Sequence, residues 1–186
     1  MTQKMTSEGA QPAREEGVYY ALRDYAGLGR RLLVLVIDGS VLSLYLVGLL
    51  ATYLASGTRS MTVFHAGAAS FLIVTFLYLV IMQRSRVGTL GYALTGVRIV
   101  ALDGTRPSIG RMVLRWVFLP IGPLNALLDV VWLGGDPNRQ TLRDKFAGTY
   151  VIRKSAQVLG HGIQRYATYS LLGYMFTFRE VSRGVT

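Results

Sequence analysis

The chain has 186 residues, 51% of them hydrophobic and 16% charged, with a net charge of +10 and no cysteine. Soluble domains carry about 25% charged residues, so the composition points to a membrane protein of one domain with tails. Disulfides, thiolate metal sites and a cysteine nucleophile are excluded. The 20 Lys and Arg are scattered rather than gathered in one aromatic-interleaved block, which argues against nucleic acid and for anionic headgroups and cytoplasmic flanks.

Residues 1 to about 17 are rich in Gln, Ser, Thr and Glu and read as a mobile tail. The tail as a whole, residues 1–24, is assigned to the cytoplasm. Tyr19, Tyr20 and Tyr25 follow and are placed at the headgroup level. The first span is Arg31–Ala55, long enough for a bilayer that needs roughly 20 apolar residues. No cleavable leader precedes it, so it reads as an uncleaved signal anchor. Asp38 lies inside this span, where a charge costs about 2.5–3.5 kcal/mol on insertion scales. Arg31, close to two helical turns earlier and on nearly the same face, is its expected partner.

A loop over Ser56–His65 leads to a second span, about Ala66–Met82. Small residues in both spans favour a tight antiparallel helix pair. Gln83–Arg111 is basic. Within it, Val97–Ala101 reads as a short strand, Asp103-Gly104 as a turn and Ser108 as the cap of a helix starting near Ile109. Pro120 and Pro123 break the apolar stretch that runs on to Leu133. The segment Ile109–Leu133 is either re-entrant or a third span. The re-entrant course is favoured, because a crossing would carry Arg139, Arg143, Lys145, Arg153 and Lys154 outside against the positive-inside rule. It also lets Val97–Ala101 pair with a second strand at Gly148–Arg153 on the cytoplasmic side. Residues 155–186 read as an amphipathic interfacial helix.

The fold class is thus an α-helical integral membrane protein with two transmembrane helices, a Pro-broken third apolar segment and a short β pairing. Both flanks of the helix pair are expected in the cytoplasm. Arg111 and Arg115, one helical turn apart, form either an anionic-lipid clamp or a pair with Asp129 or Asp144. His65 and His161 lack further ligands at metal spacing. Gly88, Gly91 and Gly96 lack the Lys and Ser/Thr of a phosphate loop and read as tight turns. No nucleophile–base pair emerges, so neither an enzyme, a metal nor a cofactor is expected.

Three blocks carry a family resemblance: YAGLGRRLLVLVID from Tyr25 to Asp38, GTLGYALTGVRIVALDGTRPSIGRMVLR from Gly88 to Arg115, and RQTLRDKFAGTYVI from Arg139 to Ile152. In this order they resemble the RDD family of bacterial membrane proteins, named for one Arg and two Asp. The resemblance implies a membrane domain over residues 25–154, with Arg31, Asp38 and Asp144 as the family residues. It also implies a role in transport, sodium/proton exchange included. Two readings of the triad follow: an ion or proton site in an oligomer or multi-subunit complex, or a structural lock in a non-transporting accessory subunit.

Overall fold

The computed structural model describes residues 16–57, 60–118, 136, 138–171 and 174–183. Strand β1 (Glu16–Tyr19) and a 3-10 turn (Leu22–Asp24) precede the first long helix, α1 (Leu28–Ala55). Helix α2 (Met61–Phe76) runs on into a π-helical stretch at Leu77–Met82. Then come α3 (Leu90–Thr95), β2 (Val97–Ala101), α4 (Ile109–Val117), α5 (Leu142–Ala147), β3 (Thr149–Arg153), β4 (Gly160–Leu171) and β5 (Tyr174–Arg183).

Two helices, Leu28–Ala55 and Met61–Met82, are long and apolar enough to cross a membrane. Their packing is the inverse of a soluble core helix. In α1 the one buried residue is a charged one, Asp38, while Leu33, Val36, Leu44 and Leu54 are exposed. Apolar side chains outward and the charge inward is the distribution a lipid solvent imposes. The second helix begins at Met61 rather than Ala66, so the connection is shorter than the loop expected over Ser56–His65.

Strands β2 and β3 pair antiparallel, with Val97 opposite Arg153 and Ala101 opposite Thr149. This ribbon is the hub of the fold. Side chains alternate across a strand with period two, and here both faces are covered. Val97, Ile99 and Val151 pack with Ala26, Val80, Tyr92 and Met112 of the helical side. Val100, Tyr150 and Ile152 pack with Val18, Tyr20, Tyr25, Leu102, Ala156 and Val181 on the other. The expected strands and their pairing are therefore present. The Ser108 hydroxyl caps α4, accepting from the Arg111 N–H at 3.3 Å.

Three expectations are corrected. Residues 16–24 do not belong to a tail: β1 pairs antiparallel with β4, and the Val18 N–H donates to the Leu102 carbonyl at 2.8 Å. Tyr20 and Tyr25 do not lie among headgroups. They are buried with Tyr150 in a T-shaped trio, ring centroids 5.3–6.4 Å apart, each such pair worth about 0.5–1.5 kcal/mol beyond its buried area. The C-terminal extension is a β-hairpin, β4–β5, rather than a helix. Phe176 and Phe178 turn inward while Met175, Thr177 and Arg179 are exposed, an alternation that suits a half-covered strand and that no helix can satisfy. The Pro-broken remainder of the third apolar segment falls on residues 119–135, outside the described residues.

Candidate functional site

Asp38 faces the start of α3. Its Oδ1 accepts from the Tyr78 hydroxyl and from the Gly91 backbone N–H, both at 2.8 Å. Its Oδ2 accepts from the Thr89 hydroxyl at 2.6 Å. Thr89 is the N-cap residue of α3 but makes no side-chain cap bond. Its hydroxyl is given to Asp38, and the carboxylate of another helix serves the first turn instead, where orphan N–H groups and the helix dipole favour an anion. The Tyr78 oxygen in turn accepts from the Leu90 N–H at 3.1 Å.

Two local features make this seat possible. Tyr78 lies in the π-helical stretch, a wider turn that often marks functional positions. Gly91 supplies room: a Cβ there would stand 2.9 Å from Asp38 Cγ, from Oδ1 and from the Val34 carbonyl oxygen. The glycine spacing reads as tight turns in the sequence. Gly88 and Gly96, with φ of +79° and +65°, fit that reading, whereas Gly91 is there for close approach.

The second carboxylate, Asp144, sits in the first turn of α5 and closes a capping box with Thr141. Its Oδ2 accepts from Arg31 Nη1 at 2.6 Å and from the Thr141 N–H at 3.1 Å. Its Oδ1 accepts from Arg115 Nη1, and Arg115 also donates to Thr149 Oγ1 at 2.8 Å. Arg31 spreads further, from Nε to the Ala26 carbonyl at 3.0 Å and from Nη2 to the Arg139 carbonyl at 2.8 Å. Its neighbour Arg30 reaches another way, to the Thr95 carbonyl at 2.7 Å. The base of α1 is thereby tied to α3, α4 and α5 at once.

The expected Arg31–Asp38 pair is replaced by this arrangement. Asp38 draws its hydrogen bonds from Tyr78, Thr89 and Gly91, and the Arg31 guanidinium is drawn to Asp144. Three donors at a helix start satisfy the buried carboxylate, and α5 brings a better-placed acid to the base of α1. Arg31 and Asp38 nonetheless meet the same space. A cavity of about 60 Å³ is lined by both, together with Gln83, Arg115, Arg143 and Trp116. That volume has room for water, which needs at least about 10–15 Å³.

Arg115 is 4% exposed and serves Asp144, so of its two expected roles the lipid clamp is overturned by burial. Arg111 is half-buried and donates to the Gly148 carbonyl at 3.2 Å. Asp129 lies outside the described residues.

One charged group escaped the sequence reading. Lys145, 2% exposed, pairs with Asp136 and Glu180, and its Nζ lies 3.3 Å from the Tyr169 hydroxyl. Burial alone would lower its pKa; the two carboxylates outweigh that and raise it. The cluster fastens the β4–β5 hairpin to α5. Its members are 9 and 35 residues from Lys145 in sequence, and no spacing rule joins them.

Residues 25–148 match the model of the RDD family. No curated protein and no solved structure matches the chain. The matched stretch takes in Arg31, Asp38, Asp144 and the elements that bring them together, and on that match the chain belongs to the RDD family.

Proposed function

We propose that this RDD-family protein resides in the bacterial inner membrane, with its N-terminus and β2–β3 ribbon on the cytoplasmic side, and moves an ion or small polar solute. The single observation behind the reading is the cavity at Asp38, where charged side chains meet among apolar ones. A carboxylate within a bilayer-length helix opens onto a space shared with Arg31 and Arg115, and intramembrane ionisable groups are functional sites by default. In this reading Asp38 holds the ion or proton, and the Arg31–Asp144–Arg115 cluster sets the local field. Two or three helices do not enclose a polar path, so copies of the chain or other membrane subunits supply the remaining wall. The role is non-enzymatic.

Sidedness rests on charge. Arg23 precedes the first long helix, Arg30 and Arg31 stand in its first turn, and Arg84, Arg86 and Arg98 follow the second, against the single Arg59 between the helices. Because the chain has no cysteine, single Gly57→Cys and Ser155→Cys variants test it directly with an impermeant thiol reagent. Labelling of the first alone from outside the cell is expected.

A second reading has its own observation. Every oxygen of Asp38 and Asp144 is already engaged by protein donors, as in a structural lock. In that case the chain is a non-transporting accessory or scaffold subunit. Proton flux in proteoliposomes separates the two. Flux lost in a folded Asp38→Asn variant supports transport; absence of flux in folded wild type supports the accessory role.

A further inference from the structure

A larger polar cavity lies at the end of the second long helix, beside the Asp38 cavity, with which it shares Gln83, Tyr92 and Val97. It has a volume of about 420 Å³, within the range of about 300–1,000 Å³ typical of ligand sites. Five cationic side chains line it, Arg84, Arg86, Arg98, Arg106 and Lys154, and no carboxylate does. None of the five forms an ion pair with a carboxylate among the described residues. Arg84 is fixed by its bond to the Pro107 carbonyl at 2.6 Å, and Arg98 and Lys154 reach the carbonyls of Ala156 and Val87 only at 3.4 Å. The nearest acid in sequence, Asp103, is already bound by the hydroxyl and N–H of Thr105. Five like charges around one hollow repel each other until an anion enters.

The surroundings choose between anions. Gln83 and Arg84 follow directly on the last residue of the membrane-length helix, Met82, so the hollow sits at headgroup depth. One exposed lining residue is apolar, Val87 at 66%, and the adjoining α3 exposes Leu90 and Leu94 next to the hollow's end of the helix. A cationic floor with an apolar lip fits a phosphate that carries acyl chains.

We propose that this cavity binds the headgroup of an anionic membrane phospholipid, its phosphate held by Arg84, Arg86, Arg98, Arg106 and Lys154. The inference rests on the membrane placement proposed above. It does not rest on transport, since it uses no residue of the Asp38 or Asp144 clusters.

The test uses the full chain reconstituted into phosphatidylcholine vesicles doped with spin-labelled phosphatidylglycerol or spin-labelled phosphatidylcholine. The readout is the fraction of each lipid immobilised at the protein. Wild type is expected to retain phosphatidylglycerol preferentially. The Arg86→Gln/Arg106→Gln double variant, altered at two exposed side chains, is expected to lose about thirtyfold in that preference, each basic residue near the surface contributing about 1 kcal/mol and each tenfold step corresponding to about 1.4 kcal/mol. Millimolar inorganic phosphate should not displace the lipid. Equal retention of the two lipids by wild type, or an unchanged preference in the double variant, overturns the proposal while leaving the membrane reading intact. Displacement by inorganic phosphate also overturns it, in favour of a soluble-phosphate site. Failure of the protein to co-float with phosphatidylcholine vesicles at all removes the membrane reading and this proposal with it.

Discussion

Gly91 and Asp38, 53 residues apart in sequence, meet so closely that the Gly91 N–H donates to the Asp38 carboxylate at 2.8 Å and no Cβ fits between them. The only carboxylate of the first long helix is thus seated on the first turn of α3, and through α3 on the ribbon.

Gly91→Ala is expected to destabilise the protein by about 1–3 kcal/mol, the usual cost of forcing extra carbon into a packed site. Its clash is with a carboxylate and a backbone carbonyl, neither of which can swing away as a flexible side-chain tip would. Gly39→Ala is the control, since a Cβ there meets nothing within 4 Å and alanine favours the helix. Thermal unfolding in detergent should show a lowered midpoint for the first and an unchanged or raised one for the second. Equal midpoints would remove the close-approach role of Gly91.

Much of this architecture is legible in the chain. Both long helices announce themselves by apolar length, Val97–Ala101 by its β-branched residues, and α4 by Ser108 ahead of an apolar period. What is not legible has a common cause. The donors to Asp38 lie 40 to 53 residues away, and Tyr78 is one apolar residue among many until a π-helical turn aims it. Arg31 is the nearest cation by helical spacing, yet Asp144, 113 residues distant, wins it through tertiary placement. The hairpin is a different failure. The alternation Phe176-Thr177-Phe178-Arg179 is a strand signal, masked by an aromatic and basic composition that equally fits an interfacial helix.

Asp144 joins Arg31 and Arg115, so Asp144→Ala deprives two largely buried guanidinium groups of their shared carboxylate. Removing one member of a buried charge cluster costs about 3–5 kcal/mol. Asp144→Asn keeps the hydrogen-bonding shape but not the charge and should cost less. Protease resistance of the detergent-solubilised protein is the check: sharply reduced for alanine, intermediate for asparagine. An alanine variant as resistant as wild type would contradict the role of Asp144 in tying α1, α4 and α5 together.

Alkaline pH should loosen the module built on the ribbon. Lys145 has its pKa raised by Asp136 and Glu180 against the effect of burial, and burial raises those of the Tyr20 and Tyr150 phenols. In each case the folded state holds its proton to higher pH than the unfolded chain. Their contribution is therefore complete below the unfolded values of about 10 and declines as pH rises beyond them. Unfolding midpoints should be flat from pH 7 to 9 and fall above pH 10. The Tyr150 hydroxyl is buried with no hydrogen-bond partner among the described residues, so Tyr150→Phe should be neutral or stabilising at pH 7 and should blunt the alkaline fall. A steeper fall in that variant would contradict the assignment.

Proton flux driven by sodium or potassium gradients in proteoliposomes, wild type beside Asp38→Asn, decides whether Asp38 is a transport site. Asparagine preserves the seat, because the Thr89 hydroxyl can turn to accept from the new amide, so folding and abundance should be unchanged. Wild type should show cation-dependent flux that falls to the level of empty vesicles in the variant. Flux of equal size in both proteins, or none in a wild type shown to be folded, would contradict a transporter with Asp38 at its centre.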